Sequence, residues 1–289
     1  MMETSEKAYA KLNISLDVLG LLPNGYHQMS MVMQSVSLWD DVHISLNDTG
    51  LIRCHSNAAF LPSDEGNIAA KAAKAFFAAA GMDGAGAEIS LTKRIPTCAG
   101  MGGGSSDGAA VLRGLNRLCG NRFTRSGLEA LAASVGSDIP FCVAGGTQLA
   151  TGTGTTLQDI APMPDCFIVV CKPRFAIRTP ELFAKIDSRR SRLHPDTAGI
   201  VDALGRGELE AVARRMYNVF EDVLPRSCSD IGRLKSLLLE HGALGSAMTG
   251  TGSALFGVFA DEPTAEKALA EVKKECPEAW LTQPVGRIM

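Results

Sequence analysis

Several marks of common protein classes are missing from this sequence. Its eight cysteines include no Cys-x-x-Cys pair, and only Cys166 and Cys171 lie close together, five positions apart with no histidine beside them. The five histidines form no His-Glu-x-x-His. The common zinc patterns are therefore excluded, and the cysteines read as reduced, small apolar residues. No apolar run approaches the roughly 20 residues of a membrane-spanning helix, and the opening MMETSEKAYA lacks the apolar segment of a secretory leader. A soluble, cytoplasmic protein is the expectation. A net charge of −3 gives no general attraction to nucleic acid or acidic membranes.

What the chain has in surplus is glycine, 30 of 289 residues, roughly a tenth against about 7% in average proteins, with no collagen period. Apolar residues make up 46% and charged residues 20%, enough for a packed core in one large or two ordinary domains. Twelve of the 30 glycines fall in three clusters, at 100–108, 145–154 and 245–252. The surplus therefore belongs to particular loops rather than to flexible linkers.

Residues 8–19 alternate, with Leu12, Ile14, Leu16 and Val18 on one side and Lys11, Asn13, Ser15 and Asp17 on the other, which predicts a half-buried strand. Lys11 and Asn13 then share a face about 7 Å apart. Pro23-Asn24-Gly25 marks a turn. A second strand pattern follows from Tyr26 to Leu46, and its stripe of Met29, Met31 and Met33 reads as core. Helical spacing runs from about Glu65 to Gly81, and a strand over 87–95 leads to the first glycine cluster. A helix beginning at Ser105–Asp107 follows, with Asp107 a helix-start acid. Ser126 and Glu129 resemble a capping box for the next helix. Ala161-Pro162-Met163-Pro164 marks a boundary near residue 160. Beyond it the pattern predicts strands at 166–171, 244–248 and 254–260. Helices are predicted from a Thr179-Pro180 start, near 196–205, 207–222, 229–241 and 263–275, and a strand at the end. Grouped strands and helices predict an α+β fold.

The loop from Pro96 to Gly108 admits several readings. A lysine-containing nucleotide loop ends in Gly-Lys-Ser/Thr, and the chain has no Gly-Lys dipeptide. A dinucleotide turn needs glycine where Ser105 stands and an acid about 20 residues on. Gly104 to Gly108 fits Gly-x-Ser-x-Gly around Ser106, with His194 and His241 downstream, but a hydrolase elbow needs a strand running into the serine. The remaining functional reading is anion binding. Consecutive glycines expose backbone amides, the following helix adds its unpaired N–H groups, and two serine hydroxyls can add donors. A purely structural turn is the alternative, and three successive glycines are entropically costly for it.

At these residues the sequence resembles the GHMP small-molecule kinase superfamily, whose phosphate loop runs P-x-G-x-G-L-G-S/G-S-S. Pro96, Gly100, Gly102, Gly103, Gly104, Ser105 and Ser106 keep that form, while Cys98 takes a usual glycine position and Met101 replaces leucine. Ala10 to Ile14 (AKLNI), Asn24 to His27 (NGYH), Gly136 to Pro140 (GSDIP) and Met248 to Ala254 (MTGTGSA) match further motifs in the family's order. Together they resemble the branch of the superfamily that phosphorylates a cytidine diphosphate-linked methylerythritol. Relatives acting on homoserine, mevalonate or a sugar are the alternative.

The resemblance implies a two-domain GHMP kinase fold. Residues 1–160 would be similar to domain 2 of ribosomal protein S5, and 161–289 would be ferredoxin-like, with ATP and substrate in the cleft between. It implies ATP as donor, Mg2+ with no ligands assigned, and a small-molecule partner rather than nucleic acid or membrane. Asp138 would accept the hydroxyl proton, with Lys11 beside it to neutralise developing charge. The loop residues would hold ATP, with Asn67 near adenine and Lys93 or Arg94 ahead of the loop. Tyr26 and Phe183 would sandwich the cytosine, His27 would bond its edge, and Asn13 would reach the polyol hydroxyls. The basic run Lys185, Arg189, Arg190 and Arg192 reads as solvated surface.

Overall fold

A computed structural model describes residues 2–189 and 193–289. Two expected members of the basic run, Arg190 and Arg192, lie outside the described residues.

The chain opens with two long strands, β1 (Glu3–Leu21) and β2 (His27–Asn47), paired antiparallel through the predicted turn. Leu22 N donates to Tyr26 O at 2.7 Å to close it. β3 (Ile52–Ser56), not foreseen in the pattern, pairs parallel with β4 (Gly86–Thr92), and β4 pairs antiparallel with the second half of β2. β5 (Thr147–Gly152) takes the first half of β2 and carries β6 (Thr156–Asp159) on its other edge. Helices α1 (Ile68–Ala79), α2 (Gly103–Leu118), α3 (Arg125–Ala133) and α4 (Ile139–Ala144) pack together, and α2 lies against β1.

β1 is buried on both faces over residues 10–18 rather than half-buried. An irregularity in pairing between Asn13 and Ser15 interrupts the alternation. Leu12 and Ile14 consequently join one core cluster, and Leu16 and Val18 the other. Met29, Met31 and Met33 are buried as expected, and the first two also floor a cleft.

A four-stranded antiparallel sheet follows, in the order β11 (Ala279–Thr282), β7 (Phe167–Cys171), β10 (Leu255–Phe259), β9 (Gly245–Met248). With α8 (Ser229–Glu240) ahead of β9 and α9 (Glu262–Glu275) ahead of β11, the sequence β7-α8-β9-β10-α9-β11 is ferredoxin-like. Helices α5 (Thr179–Asp187), α6 (Thr197–Gly205) and α7 (Leu209–Ala213) lie between β7 and α8. The helix expected over 207–222 stops at Ala213. Tyr217–Asn218 form β8, parallel to Ser15–Leu16 of β1, and Val219–Val223 make a 3-10 turn. Asn218 diverts the chain, because its Nδ2 donates to Met248 O and Gly250 O, both at 2.8 Å. The C-terminal tail returns to the first half of the chain, where Val285 N donates to Ser35 O of β2 and Ile288 N to Ala144 O at the end of α4. Among the described residues no helix is long and apolar enough to cross a membrane.

Three helix starts differ from expectation. α2 begins at Gly103, two residues early, because Gly102 supplies the left-handed turn into it. Thr124, not Ser126, caps α3, accepting from Gly127 N at 3.2 Å, and Glu129 instead pairs with Arg125. Arg178 holds the cap position of α5, and Thr179 is its first helical residue.

Candidate active site

A cleft of about 760 Å³ opens between the two sheets. Its walls come from the middle of β1, the turn between β1 and β2, the loop before α2, the segment ahead of α4, the first turns of α5, and Gly250–Thr251 of the loop after β9.

The loop 96–102 is held from two sides. Lys11 N of β1 donates to Met101 O at 3.0 Å, and Ala254 N donates to Ala99 O at 3.1 Å. Met101 buries its side chain in the core beneath. Glycine is required at two points. Gly100 has φ +75, and a Cβ there would stand 2.2 Å from Thr249 O; Gly102 has φ +69, and a Cβ there would meet Lys11 Cγ at 2.9 Å. No side chain caps α2. The amides of Gly103, Gly104 and Ser105 have no acceptor within the helix, whereas Ser106 N donates to Gly102 O. These three amides and the positive end of the helix dipole could receive an anion.

The two serines diverge. Ser106 is buried, and its hydroxyl donates to Tyr9 O at 2.5 Å. It is not presented to the cleft as a hydrolase nucleophile would be, and of the two only Ser105 stands half-exposed at the loop.

Asp138 heads α4, but its side chain makes no capping bond. Its Oδ2 lies 3.5 Å from Lys11 Nζ, with the lysine 4% exposed and the carboxylate 34% exposed to the cleft. Lys11 Nζ also donates to Asn13 Oδ1 at 2.8 Å. Asn13 is fully buried rather than open to a substrate. Its Oδ1 accepts from Gly250 N at 3.0 Å, its N–H donates to Thr249 Oγ1, and its Nδ2 reaches Met31 Sδ at 3.4 Å. Asn218, which the sequence pattern did not single out, supports this arrangement by holding Gly250 O.

At the other end of the cleft Tyr26 is 66% exposed at the turn. Phe183 lines the same cleft, and its ring stacks on His27 with centroids 4.3 Å apart and planes at 30° and meets Phe220 edge-on. Asp187, four residues after Phe183 on the same face of α5, takes His27 Nε2 at 3.0 Å. That i,i+4 spacing was the available signal for Asp187. Thr153 of the middle glycine cluster and Thr155 just after it also line the cleft.

Asn67 caps α1, accepting from Ala69 N and donating to Pro62 O. Lys93 does not project into the cleft. Its ammonium is buried between Asp40 and Asp107. Asp107 is therefore no helix-start acid, lying beyond the first turn of α2. Burial pushes its carboxyl up to about 7; Lys93 pulls the other way, and the charge of Asp40 adds to the rise. Arg94 pairs with the exposed Asp41 at 2.6 Å. Arg189 donates to Asp222 O, and Lys185 is exposed.

Residues 67–146 match the family described as GHMP kinases N terminal domain, and residues 200–278 match GHMP kinases C terminal. A Clostridium tetani protein named 4-diphosphocytidyl-2-C-methyl-D-erythritol kinase is 38% identical over 96% of this chain and 99% of its own length. A Lachnospira eligens protein of the same name is 40% identical over 96% of each. A crystal structure of 4-(cytidine 5'-diphospho)-2C-methyl-D-erythritol kinase superposes with TM-score 0.82 at 30% identity, over 98% of this chain and all of that one. A homoserine kinase from Cytophaga hutchinsonii shares the fold, with TM-score 0.78 at 20% identity over 99% and 95%.

Proposed function

The chain belongs to the GHMP kinase family, and from that premise we infer that it is an ATP-dependent small-molecule kinase of isoprenoid precursor biosynthesis. It phosphorylates the 2-hydroxyl of 4-diphosphocytidyl-2-C-methyl-D-erythritol. The observation that carries the reading is the Lys11–Asp138 pair, set in the cleft beside an amide-lined loop at the start of α2. Full-length relatives bearing that kinase's name support the choice of acceptor. The division at residue 160, with 1–160 and 161–289 as the two domains, and a cytoplasmic location belong to the same proposal.

Phosphoryl transfer requires alignment, charge neutralisation and an acceptor for the hydroxyl proton. In this reading the amides of Gly103, Gly104 and Ser105 receive the donor's phosphates. Asp138, uncommitted to any cap, takes the proton from the acceptor hydroxyl. Lys11 places its positive charge where the alkoxide and the transferring group develop negative charge. Asn13 keeps Lys11 in position instead of touching the polyol. The base end of the acceptor is received at Tyr26, His27 and Phe183, where the Phe183 ring must leave His27 if a cytosine is to enter between aromatic faces.

The side chains beside the loop do not make a Mg2+ site of their own. Among the described residues no three His, Cys, Asp or Glu side chains gather, Asp107 is bound to Lys93, and the Ser106 hydroxyl is turned away. Mg2+ would arrive as a companion of ATP, whose phosphates together with water commonly supply most of its ligands.

The test is an ADP-release assay with the cytidine-linked acceptor beside homoserine, mevalonate and galactose. Turnover confined to the first is expected. Turnover on one of the others alone would overturn the acceptor while preserving the family.

A further inference from the structure

We propose that Lys93, Asp40 and Asp107 form a buried clasp that ties together the two ends of the phosphate loop, making them positioning residues for the donor's phosphates. The inference rests on the reading that this loop receives ATP.

The loop leaves the sheet at residues 93–95 and enters α2 at residue 103. Lys93, at the exit, donates to Asp107 Oδ2 at 2.5 Å, on the second turn of the helix beyond the loop. The same ammonium is bonded to Asp40 Oδ2 of β2. Asp40 Oδ1 in turn accepts the amides of Arg94 and Ile95, the latter at 2.8 Å. One carboxylate thus fixes three groups at the loop's exit, and one ammonium joins that exit to the helix at its other end. All three side chains are almost wholly buried, at 7%, 0% and 3% exposure.

Such a clasp answers a need created by the loop's composition. Gly102, Gly103 and Gly104 bring the backbone close to an anion, but they fix little by themselves, and no side chain caps the helix. The ammonium also lies directly under the anion site, since a Cβ on Gly103 would be 3.5 Å from Lys93 Nζ. With two carboxylates gripping it, the lysine cannot swing out into the cleft. Its charge acts from beneath while the amides make the contacts. Burying one ammonium with two carboxylates is costly as a stability device, which argues for a positional use.

The experiment measures ATP affinity without acceptor, by titrating a fluorescent adenine nucleotide against competing ATP, and then KM for ATP and for acceptor in turnover. Lys93→Gln and Asp107→Ala are expected to weaken ATP about tenfold or more, with KM for the acceptor changed less than threefold. Asp107→Asn keeps a carbonyl oxygen for Lys93 and is expected to stay within about threefold of the wild type. If Asp107→Ala does not fold, Lys93→Gln against Asp107→Asn still decides the matter. Unchanged ATP affinity in Lys93→Gln, or equal rises in both KM values, overturns the clasp. A wrong acceptor shows instead as missing turnover in the wild type and leaves the comparison of ATP affinities unaffected.

Discussion

Oδ2 of Asp138 stands 3.5 Å from Nζ of Lys11, although Asp138 occupies the cap position of α4 and could have turned to bond a helix amide. A carboxylate at a helix start ordinarily gains stability from capping. Here that gain is forgone, and the acid faces a cation across the cleft. Asp138→Asn should therefore cost little stability, because no cap is lost. Its ATP affinity should match the wild type, while kcat falls by roughly 10²- to 10⁴-fold, the usual contribution of a positioned base. Nucleotide titration and single-turnover phosphoryl transfer measure the two separately. Near-normal turnover would remove Asp138 from the mechanism.

Tyr26 allows a cleaner separation of binding from folding. With 66% of its surface exposed, it contributes little to the core, and Tyr26→Ala should shift stability by no more than about 0.5 kcal/mol. KM for the cytidine-linked acceptor should rise roughly 5- to 150-fold, in line with the roughly 1–3 kcal/mol of a base–aromatic stack, and KM for ATP should hold. Equal changes in the two would place Tyr26 outside the acceptor's subsite.

Gly100 tests the contact between the phosphate loop and the second glycine motif. An alanine there takes an unfavourable positive φ and drives its Cβ to 2.2 Å from Thr249 O. The conformational strain is about 1–3 kcal/mol, and the backbone clash adds to it. Gly120→Ala is the control, with φ +80 but nothing within 4 Å. Thermal unfolding should show Gly100→Ala as the more destabilised, and ATP binding should be lost only there. Equal melting points would mean that the two loops do not press on each other.

Lys11, the glycine loop and Asp138 could be singled out in the sequence because each sits in a short motif that resembles the superfamily's: AKLNI, the glycine run before a helix, and GSDIP. What stayed hidden depends on residues far apart in the chain. Ser106 looked like a donor to the loop, yet only the packing of α2 on β1 shows its hydroxyl on Tyr9 O. Asn13 shared a strand face with Lys11 as expected, but its burial depends on Gly250, 237 positions away. Asp40 carries no motif at all and gains meaning only when β2 sets it beside the end of β4. The same holds for the segment 207–222, where helical spacing loses to two hydrogen bonds from Asn218 to the last residue of β9 and the loop after it. Helix propensity is worth tenths of a kcal/mol per residue, whereas a buried amide left without partners costs about 1–3 kcal/mol.

The buried clasp carries a pH signature whose sign follows from Asp107. Its carboxyl is raised to about 7, first by burial and further by Asp40, against the pull of Lys93. Burial also works against the Lys93 ammonium, but Asp107 and Asp40 outweigh it and hold Lys93 above its usual value. Two further groups near Asp107, the Cys54 and Cys142 thiols, are pushed up by burial to about 11 and about 12 and remain neutral through this range. Between the ordinary aspartate value and about 7 the folded state therefore binds one more proton at Asp107 than the unfolded chain does. Stability from this group is complete below the ordinary aspartate value and is lost progressively as pH rises from there through about 7. The full change is on the order of a few kcal/mol. Asp107→Asn fixes the neutral form. Its margin over the wild type in melting temperature should be small near the ordinary aspartate value, widen up to about pH 7, and level off above it. Urea unfolding at matched ionic strength gives the same comparison in free energy. A difference that stays constant with pH would show that Asp107 does not exchange its proton in this range.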